Sequence, residues 1–133
     1  MPQTAMSQVN AHADASIPTV LVVEDEALVR MPIAEYLRDC GFHVLEAANA
    51  NEAIGLVGSG DRVDVVFSDV RMPGGMDGFG LARWVRAHHP KLPVLLTSGY
   101  TTSLSGELTG VKLIEKPYSQ SQVLNRIRAL IPQ

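Results

Sequence analysis

The chain has 133 residues, of which 46% are hydrophobic and 19% charged, and its formal net charge is −3. This composition supports one globular domain and excludes global disorder, and an acidic chain without a basic patch is not typical of nucleic-acid binders. The single cysteine excludes an internal disulfide framework, and the absence of a secretory signal or of an apolar run near the roughly 18 residues of a membrane span predicts a cytoplasmic protein without a membrane partner.

The first part of the chain differs from the rest. Residues 1–18 show no sustained period and few apolar side chains, so we predict a flexible N-terminal arm, followed by one domain over residues 19–133. The pattern changes at Thr19–Val23, a β-branched apolar run typical of a strand buried on both faces. The folded part therefore begins with a central strand.

Helices and strands then alternate. A helix is predicted over residues 26–40, with Asp25 as its N-cap and an apolar stripe of Val29, Ile33, Leu37 and Cys40. Further strands are predicted over residues 42–47, 63–68, 92–97 and 111–115, and further helices over residues 50–57, 78–88 and 119–131. The segment 101–110, TTSLSGELTG, stands where the fourth helix of this alternation is due, and its glycines and hydroxyl side chains predict a short or disordered helix.

This alternation indicates an α/β fold. Strands separated by helices form parallel βαβ units, and right-handed crossovers leave few topologies. We predict a doubly wound, five-stranded parallel sheet in the order 2-1-3-4-5, which makes strand 1 the neighbour of strand 3. Ligands of such sheets bind at the carboxyl ends of the strands, near the point where the strand order reverses.

Polar side chains follow four of the predicted strands at that edge: Glu24–Asp25 after strand 1, Asp69 after strand 3, Thr97 at the end of strand 4 and Lys116 after strand 5. Neighbouring strands lie about 4.8 Å apart, so the carboxylates should cluster. Two such charges about 4 Å apart repel by about 4 kcal/mol at an effective dielectric constant near 20, which a shared proton or a cation would relieve.

An all-oxygen cluster suits Mg²⁺, which keeps several waters and takes one or two protein carboxylates. Asp69 would then be both a ligand and a nucleophile, while Lys116 and the Thr97 hydroxyl would receive the oxygens of a phosphoryl group. The sequence therefore predicts transfer of a phosphoryl group to an aspartate.

Four motifs in this order, VLVVEDE, VVFSDVRMPGGMDG, LLTSG and EKPY, resemble the receiver domains of two-component response regulators, over about residues 19–131. The resemblance implies a flavodoxin-like fold and phosphorylation of Asp69 by a sensor histidine kinase or a histidine phosphotransfer protein. It implies Mg²⁺ held by Asp25, Asp69 and the backbone carbonyl of Arg71, with Glu24 acting through water. It also implies that Thr97 and Lys116 bind the phosphoryl group and that the Lys116–Pro117 peptide is cis.

The sequence departs from the family pattern at three places. Leu113 stands where receivers carry an aromatic residue that takes part in signalling, the loop after Asp69 has an extra glycine, and the stretch from Thr97 to Lys116 is short. The segment LLTSGY partly resembles a receiver subgroup with a Phe-Ala-Thr-Gly-Tyr motif. In that interpretation Tyr100, or a reordering of residues 98–110, replaces the usual switch.

Several functions remain open at this point. The main hypothesis is a single-domain response regulator, not an enzyme beyond its own phosphorylation and dephosphorylation, that signals by protein contact, relays the phosphoryl group or acts as a sink. The alternative is a degenerate receiver that acts as a phosphorylation-independent interaction module. A receiver from a hybrid kinase is also possible, although the initial Met and the compact ending favour a complete protein. Flavin binding is disfavoured because the acidic residues after strand 1 would repel the phosphate of the cofactor. Dehalogenase-type hydrolysis is disfavoured because such enzymes need a second Asp two residues after the nucleophile, where Arg71 stands.

Overall fold

The structure, a computed structural model, describes residues 17–99 and 111–131. Within them the strands are β1 Thr19–Val23, β2 His43–Ala47, β3 Val65–Asp69, β4 Val94–Ser98 and β5 Val111–Glu115. The helices are α1 Ala27–Asp39, α2 Ala50–Gly58, α3 Gly78–His88 and α4 Gln120–Leu130. The helix expected between strands 4 and 5, Tyr100 and most of the expected N-terminal arm lie outside the described residues.

The five strands form one parallel sheet in the order β2-β1-β3-β4-β5, which confirms the predicted flavodoxin-like topology. β1 lies between β2 and β3, with Val23 opposite Ser68. At the same edge Asp69 of β3 lies opposite Thr97 of β4. All strands therefore present their carboxyl ends at one edge, where the sequence places its polar residues.

Helices cover both faces of the sheet. On one face Val20, Val22 and Phe67 pack against the apolar sides of α1 and α4. On the other face Leu21 and Val23 pack with residues of α2 and α3. Burial of one such valine or leucine contributes about 1.5–3 kcal/mol, so β1, which is buried along its whole length, is held firmly from both sides.

The ends of β3 and β4 differ slightly from the prediction. Each strand begins two residues later and ends one residue later than expected, so that Asp69 and Ser98 are the last residues of their strands. The cause is the backbone ladder, which continues to the bond that Val70 N–H donates to the Thr97 carbonyl at 2.9 Å. Asp69 is therefore part of the sheet and does not belong to a loop.

The start of α1 corrects two predictions. The N-cap is Glu26, not Asp25, and its side chain makes no capping bond; the Glu26 carbonyl accepts from Val29 N–H and Arg30 N–H. Val29, expected in the buried stripe, is 38% exposed. The first turn of α1 lies at the carboxyl edge of the sheet, where few strand side chains remain to cover it.

Within the described residues, no helix has the length and apolar character needed to cross a membrane.

Candidate functional site

Three carboxylates meet at the carboxyl edge of the sheet. Glu24 and Asp25 directly follow β1, and Asp69 ends the neighbouring β3. One carboxylate oxygen from each of the three lies within 4.8 Å of the others. Glu24 and Asp69 are only 5% and 7% exposed, whereas Asp25 faces solvent. The predicted carboxylate cluster is thus present, and its oxygen donors and open side suit a hard cation such as Mg²⁺.

Burial and the crowding of negative charge have their main effect on the pKa of Glu24. Burial, together with the neighbouring carboxyl groups of Asp25 and Asp69, raises its pKa from 4.5 to about 7. The bond that Glu26 N–H donates to the Glu24 carboxylate, at 3.1 Å, opposes these effects. Near neutral pH, the protonated and ionised forms of Glu24 therefore coexist. A cation bound in the cluster would favour the ionised form.

Lys116 supplies the positive charge of the site. Its ammonium Nζ lies 3.2 Å from Asp69 Oδ2, and its backbone N–H donates to the Ser98 carbonyl at 2.9 Å. The Lys116–Pro117 peptide is cis, as the resemblance implies. The end of β5 is thus bound to the end of β4, and the ammonium group is directed at the carboxylate of Asp69.

Thr97 is the most unusual polar residue of the site. It lies beside Asp69 in the ladder and is 2% exposed, and its hydroxyl Oγ1 finds no hydrogen-bond partner among the described residues. A buried hydroxyl without a partner costs about 1–3 kcal/mol. Such a cost is understandable where the hydroxyl serves a ligand, as expected for a group that binds a phosphoryl oxygen.

The loop after β3 folds back tightly on the backbone of Asp69. A Cβ atom on Gly78 would lie 2.3 Å from the Asp69 carbonyl oxygen, so only glycine fits there. Gly74 has a φ of 99°, in the left-handed region that favours glycine. The close approach of Gly78 to the Asp69 carbonyl was not predicted. An Asp-Gly pair is also common at helix starts, so the sequence does not show that a glycine is needed here for packing.

An open cavity of about 650 Å³ adjoins the cluster, and its lining includes Asp25, Arg71 and Ser98. A donor molecule therefore has direct access to the acidic edge. Arg71 lies in the loop two residues after Asp69, with its side chain exposed. Leu113, the departure noted in β5, is partly buried against the face covered by α2 and α3 and pairs with Leu96.

Comparisons with known proteins agree with this geometry. The family model described as response regulator receiver domain matches residues 20–128. The sensor kinase CckA of Brucella abortus is 36% identical over 118 residues, which are 85% of this chain and 12% of that kinase. The chain thus spans a small part of this curated relative.

Solved structures show the same fold. A response regulator receiver protein from Sinorhizobium medicae has a TM-score of 0.80 and 28% identity, covering 87% of this chain and 95% of that one. The response regulator TrrA from Thermotoga maritima, in complex with Mg(2+)-BeF, has a TM-score of 0.77 and 25% identity, covering 86% of this chain and all of that one, 100%. On its sequence, fold and edge geometry, the chain belongs to the response regulator receiver domain family of two-component signalling systems.

Proposed function

We propose that Asp69 accepts a phosphoryl group from a phosphohistidine of a sensor histidine kinase or a histidine phosphotransfer protein. The observation that carries the proposal is the ammonium group of Lys116, 3.2 Å from Asp69 Oδ2 inside a cluster of three carboxylates. Membership of the receiver family supports it. We propose that the receiver domain that carries this activity spans residues 19–133 and that residues 1–18 lie outside it. We also propose that the protein acts in the cytoplasm.

The chemistry requires an ionised Asp69. A carboxylate oxygen of Asp69 forms a bond to phosphorus while the bond from phosphorus to the imidazole nitrogen of the donor breaks. The imidazole leaves with the electron pair and takes up a proton. Lys116 neutralises charge on the aspartyl phosphate, and the hydroxyl of Thr97, which has no hydrogen-bond partner among residues 17–99 and 111–131, donates to a phosphoryl oxygen.

We further propose that Asp25, Asp69 and the backbone carbonyl of Arg71 hold Mg²⁺, with Glu24 acting through a water molecule. The donors are all oxygen, as Mg²⁺ prefers, and one side of the cluster is open to the water that this ion retains. The Mg(2+)-BeF complex of TrrA supports the choice of metal. When bound, the ion supplies positive charge to the phosphoryl oxygens and relieves the repulsion between the carboxylates.

The phosphodonor has an apolar surface beside the site on which to dock. The first turn of α1 exposes Leu28 by 90%, Met31 by 57% and Val29 by 38%, and we call these three residues the α1 patch. The first of them, Leu28, lies three positions after Asp25 along the chain. Exposed apolar side chains grouped beside a charged site are typical of a protein-binding surface. After phosphorylation the chain signals by contact with another protein or passes the phosphoryl group onward.

Intact mass tests this proposal. The wild type and Asp69→Asn are incubated with a small phosphodonor such as acetyl phosphate, with and without Mg²⁺. We expect one phosphoryl adduct on the wild type with Mg²⁺, and none on Asp69→Asn or with a chelator. A folded wild type that gains no adduct under these conditions, and none from a histidine kinase, would favour the alternative of a phosphorylation-independent interaction module, which Leu113 leaves open.

A further inference from the structure

Arg30 connects the site to the edge of the sheet. From the first turn of α1 its guanidinium Nη1 donates to the Glu24 carbonyl oxygen at 2.8 Å. Its Nε donates to Glu46 Oε1, on β2, at 3.1 Å. Both side chains are partly buried, so these charge-assisted bonds are stronger than those of an exposed ion pair. One arginine therefore holds the backbone of the acidic loop and a carboxylate on the edge strand.

Glu46 is itself held on both oxygens. Arg38, two turns further along α1, donates from Nη2 to Glu46 Oε2 at 3.1 Å and to the Val44 carbonyl at 3.1 Å. Arg38 makes no recorded bond to the loop that carries Glu24 and Asp25. The two arginines thus share one carboxylate, and of these two only Arg30 extends from it to the site.

The carbonyl that Arg30 binds belongs to the peptide group between Glu24 and Asp25. The N–H of Glu24 donates to the Ala47 carbonyl at 3.0 Å, so this residue is bound to β2 on its other side as well. With both its own N–H and its own C=O bound, the backbone of Glu24 is held on both sides, and this fixes the direction of its side chain and of the peptide group that leads to Asp25. Without this restraint, repulsion among the three carboxylates would turn the loop away from Asp69.

We infer that Arg30, oriented by Glu46, is a positioning residue of the Mg²⁺ site, because it holds the Glu24–Asp25 peptide so that both carboxylates face Asp69. This inference rests on the proposed function of that site. Residues that orient metal ligands typically change metal affinity by 10–100-fold when they are replaced. Arg30 touches no substrate and acts only through the loop.

The test is the Mg²⁺ dissociation constant of the unphosphorylated protein, measured by isothermal titration calorimetry. Arg30→Gln should raise it by about tenfold. Arg30→Lys keeps the charge but lacks the forked guanidinium that reaches both partners, so it should raise the constant nearly as much. Glu46→Gln should give a smaller increase. Arg38→Gln is the matched control, which loses bonds to Glu46 and Val44 but should keep the Mg²⁺ affinity within about twofold.

Urea unfolding without metal, followed by fluorescence of Trp84, confirms that each variant is folded and measures its stability. If Arg30→Gln loses stability while its Mg²⁺ affinity stays at the wild-type value, Arg30 is only structural and the inference is overturned. If Arg30→Lys restores the affinity fully, the charge and not the geometry matters, which also overturns it. A wild type that binds no Mg²⁺ overturns the proposed metal site and this inference together.

Discussion

Glu24 and Thr97 show how individual residues of the site store unfavourable free energy. Glu24 is a carboxyl group in a buried, acidic environment, and Thr97 is a buried hydroxyl without a partner in the described parts of the chain. Natural proteins accept such costs mainly where a ligand recovers them. Replacing either residue by a side chain of similar shape without the polar group should therefore raise the free energy of unfolding in the absence of ligand.

The pKa of Glu24 predicts a pH-dependent stability. Because the folded-state pKa, about 7, lies above the ordinary value of 4.5, the contribution of Glu24 to stability is fully present below pH 4.5 and lost as the pH rises through 7. In a chelator, Glu24→Gln should remove this dependence and raise the free energy of unfolding at pH 8 by about 1–2 kcal/mol, a reduced value because the cluster is open to solvent on one side. Urea titrations at several pH values measure it, and parallel pH profiles for the two proteins would contradict it.

Thr97→Val separates stability from activity. Valine keeps the β-branched shape and removes the hydroxyl, so the free energy of unfolding without ligand should stay constant or rise by about 1 kcal/mol. The rate of phosphorylation by acetyl phosphate should fall, because a donor to the phosphoryl group is lost. Urea unfolding and timed intact mass measure the two effects. A clear loss of stability would show that the hydroxyl has a structural partner.

At the scale of elements, the strand order and the carboxylate cluster were predictable from the sequence, whereas the exact strand ends and the contacts of Arg30 were not. β1 was predictable from its β-branched run, and the strand order from the alternation of strand and helix patterns along the chain. These are strong signals that do not depend on any single residue. The ends of β3 and β4 shifted because hydrogen bonding, not hydrophobicity, decides where a strand ends. The carboxylate cluster followed from strand order, whereas Arg30 was missed because an arginine in a helix gives no signal of the carbonyl that it binds.

The loop between β3 and α3 depends on one glycine. Gly78→Ala places a Cβ atom 2.3 Å from the Asp69 carbonyl oxygen and 2.7 Å from Val70 Cα, so backbone must move. We expect a loss of at least about 2 kcal/mol in the free energy of unfolding, together with slower phosphorylation of Asp69. Gly55→Ala is the control, since Gly55 lies in α2 with nothing within 4 Å of its Cβ position. This variant should gain about 0.5–1 kcal/mol.

At the scale of the whole molecule, the chain separates chemistry from recognition. In the proposed function the carboxyl edge of the sheet carries the reacting groups, and the α1 patch beside it offers exposed apolar surface. We expect a small phosphodonor to need only the carboxyl edge, whereas a protein donor should need both surfaces. The two kinds of donor therefore distinguish the surfaces experimentally.

Leu28→Ala and Met31→Ala should leave phosphorylation by acetyl phosphate unchanged. The pair together should slow transfer from a histidine phosphotransfer protein that serves the wild type by about tenfold or more, as expected when buried anchors of an interface are removed. The rates are measured by the transfer of labelled phosphate. Equal rates from the protein donor for wild type and double variant would place the docking surface elsewhere.

The site draws its residues from strands that are far apart along the chain, with Lys116 and Asp69 separated by 47 positions. β5, which carries the approach to Lys116, is an edge strand with most of its residues partly or fully exposed. Edge strands open more often than central ones. Each opening leaves Asp69 in place on its central strand but removes its counter-charge. If Asp69 accepts a phosphoryl group as proposed, the equilibrium fraction of molecules with a closed edge therefore sets an upper limit on the fraction that can accept it at any moment.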